Sequence, residues 1–351
     1  MLTSDLTIAE LDVDREEDAA LYRRAHDAAD VASARLLLGD RHGARTADEV
    51  LAWVRTDAAH DKRIGVGLVD GEPVATWGLT FSRHDNLDVA DVGLSVAPGH
   101  RRQGVGTRLL EHAEAIVRET GRGVVQAWEL LPAGEGDEDP TTAFATRHGY
   151  RSTLPSLRSD LDLDPDDATA LDRALAPLDA EAGDHLDPDY RLVTWWWDRE
   201  PHAWLEERAH LQRRMSTDAP TGDMTSEEQR WDAERVRAWE GTATAQGRAV
   251  VDTAVLHVPS GRLVAFTQIG VPSAAQEHAY QWNTLVLREH RGHRLGMAIK
   301  AANLRAAVER FPQVRRITTY NAASNAPMLR VNLAMGFRPV ARETCWEKTL
   351  G

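Results

Sequence analysis

The stretch LSVAPGHRRQGVGTRLL, residues 94–110, reads as the end of a strand, a glycine-bearing turn and the start of a helix. The same plan returns in TLVLREHRGHRLGMAIK, residues 284–300. Arg101 aligns with Arg291, Gly106 with Gly296 and, upstream, the hairpin glycine Gly71 with Gly261, all at one offset. An unbroken offset over that distance points to a duplicated domain rather than an array of short repeats.

The length of 351 residues agrees with two domains, each large enough to bury its own core. A single cysteine, Cys345, rules out an internal disulfide framework and suits a reducing compartment. No stretch approaches the roughly 20 apolar residues of a membrane span, and the acidic N-terminus does not read as a secretory signal. These features predict a cytoplasmic protein. The formal net charge of −14 argues against nucleic acid, which is bound by neutralising its phosphates. A negative field instead draws cations, such as a small amine, and it also serves solubility.

In the first half the pattern predicts a strand over 6–11, helices over 15–38 and 47–56, and a hairpin of 64–69 with 74–81 around Asp70-Gly71-Glu72-Pro73. A strand over 89–96 then enters the glycine turn. The next helix sets Leu109, Leu110, Ala113, Ile116 and Val117 on one face and stops at Gly121. A strand over 124–130, a short helix near 141–148 and strands across 150–163 complete the unit. Between Ser159 and Asp189 eleven acidic residues face one arginine. That run is read as a connector over 164–189, a helix opened by Asp164-Pro165 with a stripe of Leu171, Leu175 and Leu178. The second half repeats the plan: a strand over 190–197, helices over 203–215 and 226–240, and a hairpin of 249–258 with 263–270. A strand over 280–287 meets the second turn, whose helix runs to about residue 310. A strand over 317–320, a helix over 326–334 and a final strand follow. The fold class is α/β, a mixed and mostly antiparallel sheet flanked by helices in each of two domains, 1–163 and 190–351.

A turn that leaves a strand and opens a helix offers unpaired backbone N–H groups and the positive end of the helix dipole, which suits phosphate. Gly104 and Gly106 let the backbone come close to the anion, and Arg101 and Arg102 add charge. No Gly-Lys-Ser/Thr follows, so this is no Walker loop, and hairpins precede it, so it is no Rossmann fingerprint.

The pattern V-x-P-x-x-R-R-x-G-x-G-x-x-L-L resembles motif A of the GCN5-related N-acetyltransferases, the GNAT superfamily, whose core is Q/R-x-x-G-x-G/A. Arg101, Gly104 and Gly106 fill it. Asn321, Ser324-Asn325, Asn332 and Gly336-Phe337 resemble the later strand and helix of the same fold. The two copies span nearly the whole chain except the acidic connector, in the tandem layout of the mycothiol synthase kind. The resemblance implies transfer of an acetyl group from acetyl-CoA to a small-molecule amine, with no metal; the oligomeric state stays open. It implies a coenzyme site built by Leu94, Val96, Arg101, Arg102, Gln103, Gly104, Val105, Gly106 and Thr107 in the first half. In the second it implies Thr284, Val286, Arg291, Gly292, His293, Arg294, Leu295, Gly296 and Met297, with Asn321, Asn325 and Asn332 beside pantetheine. A strand N–H near 94–96 or 284–286 would polarise the thioester carbonyl.

Two departures from the family pattern stand out. Where many members carry a tyrosine that protonates the leaving thiolate, the positions here are Ala145 and Asn332. Arg294 replaces the first motif glycine of the second half, where it either obstructs the cradle or points outward to a coenzyme phosphate. The second half, which keeps the asparagines, is expected to be catalytic and the first a second coenzyme site or a structural partner. Glu277 is taken as the base, with Asn283 and Thr284 beside it on the same strand. Asp218 and Asp223, between two helices, are candidates for binding a cationic acceptor, although helix capping accounts for such residues equally well. Trp195-Trp196-Trp197 and Cys345 read as core packing.

Overall fold

The computed structural model of this chain describes residues 5–41, 43–133, 139–164, 166–167, 169–182 and 186–351. Pro165, named above, lies outside them. The first half runs β1 (Leu6–Glu10), α1 (Glu16–His26), α2 (Ala32–Leu38), α3 (Ala47–Thr56), β2 (His60–Val69), β3 (Glu72–Ser82), β4 (Val89–Val96), α4 (Val105–Glu119), β5 (Val124–Pro132), α5 (Pro140–Arg147) and β6 (Arg151–Asp162). The second half continues with α6 (Ala170–Ala182), β7 (Tyr190–Trp196), α7 (Leu205–Asp218), α8 (Ala233–Ala245), β8 (Arg248–His257), β9 (Arg262–Pro272), β10 (His278–Val286), α9 (Leu295–Arg310), β11 (Arg316–Ala322), α10 (Ala326–Met335) and β12 (Arg338–Thr349).

These elements form two compact units that do not coincide with the sequence halves. The first comprises Met1–Pro155, Gly222–Ser226 and Glu343–Gly351; the second comprises Ser156–Thr221 and Glu227–Arg342. The expected division at 163 and 190 is thereby corrected. The end of β6 belongs with the second unit and the end of β12 with the first. The connector is no separate linker: α6 contributes Ala174 and Leu175 to the second unit's core, beside Leu304, Ile317 and Phe337. The side chain of Leu178 lies outside the described residues.

In the first unit β1, β2, β3 and β4 are successively antiparallel, and β4 then pairs β5 in parallel. Strand alternation splits the apolar residues between two faces. Trp77, Leu79 and Phe81 pack with Leu109, Leu110 and Val117 of α4, and the end of the chain adds Trp346 and Leu350 to that core. Ile64 and Val66 pack instead with Tyr22 of α1 and Leu51 of α3. Helix α3 is secured by a capping box between Thr46 and Glu49. Between α1 and α2 the backbone widens into a π-turn over Asp27–Val31, from which the Asp30 carboxylate accepts a 2.7 Å hydrogen bond from Thr76 on β3.

The second unit repeats the design, with β7, β8, β9 and β10 antiparallel, β10 parallel to β11, and β11 antiparallel to residues 156–162 of β6. Trp195 and Trp197 are buried in one core cluster and Trp196 in the other, so the tryptophan run serves packing. Cys345 is buried as well, in the first unit, where burial pushes its thiol up to about 12. The helix expected over 226–240 starts later, at Ala233, because the Asp232 side chain caps it by accepting from the Arg235 amide at 2.8 Å.

Candidate functional site

Both glycine turns are built alike. After β4 a single helical turn over Pro98–His100 leads to Arg101, whose Nε donates to the Val96 carbonyl at 3.0 Å. After β10 the turn over Arg288–His290 leads to Arg291, whose Nε donates to the Val286 carbonyl at 3.1 Å. These arginines therefore tie turn to strand. Arg101 also reaches the Ser33 hydroxyl at 2.6 Å. Helix α4 starts after Gly104 at φ 92°, and α9 after Arg294 at φ 58°. The first-turn amides of Val105, Gly106 and Thr107 have no acceptor of their own in the helix, as at any helix start. In the second unit Leu295 and Gly296 are equally placed, whereas the Met297 N–H already donates to the Arg294 carbonyl at 3.1 Å. Gln103 braces its own turn through the Gly99 carbonyl, and the Thr107 hydroxyl pairs with His148. Arg102 is exposed, and His293 lies 3.8 Å from Asp187.

The strand that feeds each turn forks away from its parallel neighbour. β4 pairs β5 only from Val89 to Asp91, yet it stays paired to β3 through Val96. β10 pairs β11 only from His278 to Gln281 while continuing along β9 to Val286. The edge carrying Leu94 and Val96, or Thr284 and Val286, is thus open to an extended ligand. The second fork differs in one respect: the ladder with β9 is interrupted between Gln281 and Thr284 by a bulge.

Asp91 closes the paired part of the first fork. It lies on the face opposite Ala90 and Val92, which pack in the α4 core. Its side chain is exposed, yet the protein around it desolvates the carboxyl and lifts it to about 6, against the pull of His60 and Arg122. Across the fork on β5, burial raises Glu129 to about 7, with Asp139 adding to the rise and Thr141 and Arg101 opposing it. Sequence reasoning passed over both residues. A lone aspartate in the strand VADVGLSV was the available signal, because aspartate is disfavoured in strands unless something holds it there.

In the second unit the fork is lined by a buried amide and hydroxyl network. Gln281 donates to the Thr267 hydroxyl at 2.9 Å and the Gln268 carbonyl at 2.6 Å, and Thr267 pairs with the Thr284 hydroxyl at 2.7 Å. Lys300 donates to the Gln281 side-chain oxygen at 3.3 Å, and its complete burial lowers the amine to about 7. Asn283 donates to Gln212 at 3.0 Å.

Glu277 precedes β10 at the end remote from the turn. It is exposed, 3.4 Å from Arg315, and four residues before Gln281, where the pairing with β11 ends, about 13 Å at the usual rise. The buried carboxylate of Asp218 faces Arg214 at 3.0 Å and Arg288 at 3.3 Å, with Arg291 at 4.0 Å, so it is engaged in ion pairs within the protein. Asp223 belongs to the first unit rather than beside the second turn. Asn325 caps α10 by accepting from the Met328 amide. Asn332 donates to Asn321 at 2.6 Å, and its own buried side-chain oxygen has no hydrogen-bond partner among the described residues. An orphaned acceptor of that kind fits an amide N–H of a pantetheine arm. Among the described residues no three His, Cys, Asp or Glu side chains are grouped to hold a metal ion.

The sequence model of the Acetyltransferase (GNAT) family matches residues 32–150. No curated protein shows significant sequence similarity to the chain. Among solved structures, a tandem GNAT protein from the clavulanic acid biosynthesis pathway, solved without AcCoA, superposes with a TM-score of 0.76 at 27% identity, covering 99% of each chain. A GCN5-related N-acetyltransferase from Sphaerobacter thermophilus superposes with a TM-score of 0.59 at 17% identity, over 99% of this chain and 97% of its own. The latter likeness concerns the fold alone.

Proposed function

Because this chain is a tandem member of the GNAT superfamily, we propose that it is an acetyl-CoA-dependent N-acetyltransferase of a small amine, with its chemistry in the first unit. The observation that carries this reading is the fork at Asp91: an open strand edge that runs into a glycine-lined helix start, with a carboxyl at its mouth that has no ion pair or hydrogen-bond donor among the described residues. This reverses the expectation that the second half is catalytic, for which Glu277 was the base.

The amides of Val105, Gly106 and Thr107, with the positive end of α4, suit a diphosphate, and Arg102 adds charge beside them. The β4 edge at Leu94 and Val96 suits the extended arm. Acetyl-CoA, when bound, supplies an activated acyl carbon. Asp91, ionised at neutral pH but more basic than an ordinary carboxylate, takes the proton that an ammonium must lose before it can attack. General-base help of this kind contributes roughly 10²–10⁴-fold.

The second unit supports a different reading, coenzyme binding without turnover. Arg294 stands where the first unit has Gly104, Met297 has lost a free amide, and among the described residues the hydrogen-bond partners of the Gln281 side chain are Thr267, the Gln268 carbonyl and Lys300, none of them a carboxylate. Its orphaned Asn332 oxygen still fits the pantetheine arm. Thiol release across a panel of amines, beside calorimetric titration with CoA, tests the whole reading. Gly106→Trp is expected to abolish release and Gly296→Trp to leave it largely intact. The opposite result returns the chemistry to the second unit, and tight CoA binding with no release on any amine refutes turnover altogether.

A further inference from the structure

Five residues from the second half of the sequence, Gly222–Ser226, belong to the first unit, while the chain on either side of them belongs to the second. The segment has no regular secondary structure, yet it is held at both ends. The Asp223 amide donates to the Thr153 carbonyl at 2.9 Å. Two residues on, Thr225 donates through its amide at 2.7 Å and its hydroxyl at 3.0 Å to the two carboxylate oxygens of Glu347, a fully buried side chain. The Thr225 carbonyl accepts from Gln126 at 2.8 Å, and Gln126 also donates to Glu347 at 2.9 Å. Gly222 has φ 57°, and a β-carbon there would collide with the Thr153 carbonyl oxygen, so only glycine fits.

Gln126 is the ladder partner of Asp91 across the parallel pair, so the two side chains leave the same face of the sheet. Thr225 is therefore one side chain away from the carboxyl at the mouth of the fork. Asp223 is exposed, and among the described residues its carboxylate has neither an ion pair nor a hydrogen-bond donor. Met224 beside it is half-buried. A loop fixed so firmly, with its charged side chain left free, is preorganised for a ligand rather than for packing.

We propose that Gly222–Ser226 forms the acceptor-side wall of the first unit's fork and selects the amine, Asp223 favouring an acceptor that carries a second positive charge. The proposal rests on the acyl-transfer reading and deepens it by naming the acceptor class. Met224 would cover the carbon chain between the two charges, and Asp91 would face the end that reacts.

The test compares putrescine and cadaverine with butylamine and pentylamine, following acetyl-CoA-dependent thiol release by the full chain. The wild type is expected to prefer the diamines. Asp223→Asn should raise their KM roughly three- to fivefold with kcat unchanged, as for one exposed charge contact, and should leave the monoamines unaffected. Gly222→Ala, which dislodges the segment, should raise KM for all four amines while calorimetric CoA affinity holds. Turnover by the wild type with no diamine preference, or with a preference that Asp223→Asn leaves intact, overturns the proposal alone. No release from any of the four amines, with no heat on CoA titration, overturns the acyl-transfer reading and this proposal with it.

Discussion

Gly104 and Arg294 stand at the same point of the two turns, immediately before the helix, and both take left-handed backbone, at φ 92° and 58°. Two residues earlier the residue types are exchanged, Arg102 at φ 63° and Gly292 at φ 89°. Each turn thus holds one glycine and one arginine in a conformation that costs an ordinary L-residue about 1–2 kcal/mol. Gly104→Arg is expected to lower stability by about that amount in chemical denaturation. Arg294→Gly should cost nothing, despite the greater freedom glycine restores to the unfolded chain. A loss above about 1 kcal/mol for Arg294→Gly would show that its side chain, not its backbone, holds the second turn.

Asp91 gives the transfer reaction a pH signature. Its carboxyl, raised to about 6, must be ionised to accept a proton. The value of kcat/KM should therefore rise with pH through about 6, superimposed on the ionisation of the amine itself. Asp91→Asn is expected to remove that inflection and to lower kcat/KM by about 100-fold or more, with CoA affinity unchanged. An unaltered profile in the variant would mean that another group takes the proton.

The duplication, the hairpins, both turns and their helices were legible in the sequence because each depends on local pattern: apolar period, turn residues, a glycine after a strand. The exchanged ends of β6 and β12 were not. The burial of Ser156, Arg158 and Asp160 in the second unit is polar, and that burial is satisfied by residues more than 150 positions away, such as Thr318. No periodicity marks such a strand. The same holds at the site. The turns announced themselves, but Asp91 acquires its character from the protein around it.

Lys300 makes the second unit sensitive to pH. The amine is buried, its hydrogen-bonding partner is the Gln281 side-chain oxygen, and it sits near 7 in the fold against about 10.4 in an unfolded chain. Between those values the unfolded chain holds a proton that the folded chain does not, so stability rises with pH across the window. The slope is at most about 1.4 kcal/mol per pH unit. Urea denaturation at several pH values from neutral upward should show that rise in the wild type. Lys300→Met should flatten it and should be the more stable protein at neutral pH, since it buries a similar volume with no charge to neutralise. A wild-type curve already flat above neutrality would mean the amine keeps its proton in the fold.

The first unit cannot be complete without the last nine residues of the chain, Glu343–Gly351. Trp346 is 7% exposed and Leu350 9%, both within the core cluster that holds Trp77, Leu109 and Val117. Glu347 binds Gln126 and Thr225, and Lys348 binds Glu114 of α4 at 2.7 Å. Trp346→Ala is therefore expected to destabilise the protein by about 3–5 kcal/mol, the cost of removing a large aromatic from a packed core. A chain ending at Arg342 should lose the fold of the first unit outright, although every residue of the first sequence half is present. Limited proteolysis read by mass spectrometry should then show cleavage within β2 to β5, with residues 227–342 protected longer. Equal protection of both units in the shortened chain would mean that the first half closes its own core, and that the exchange of strand ends adds little to its stability.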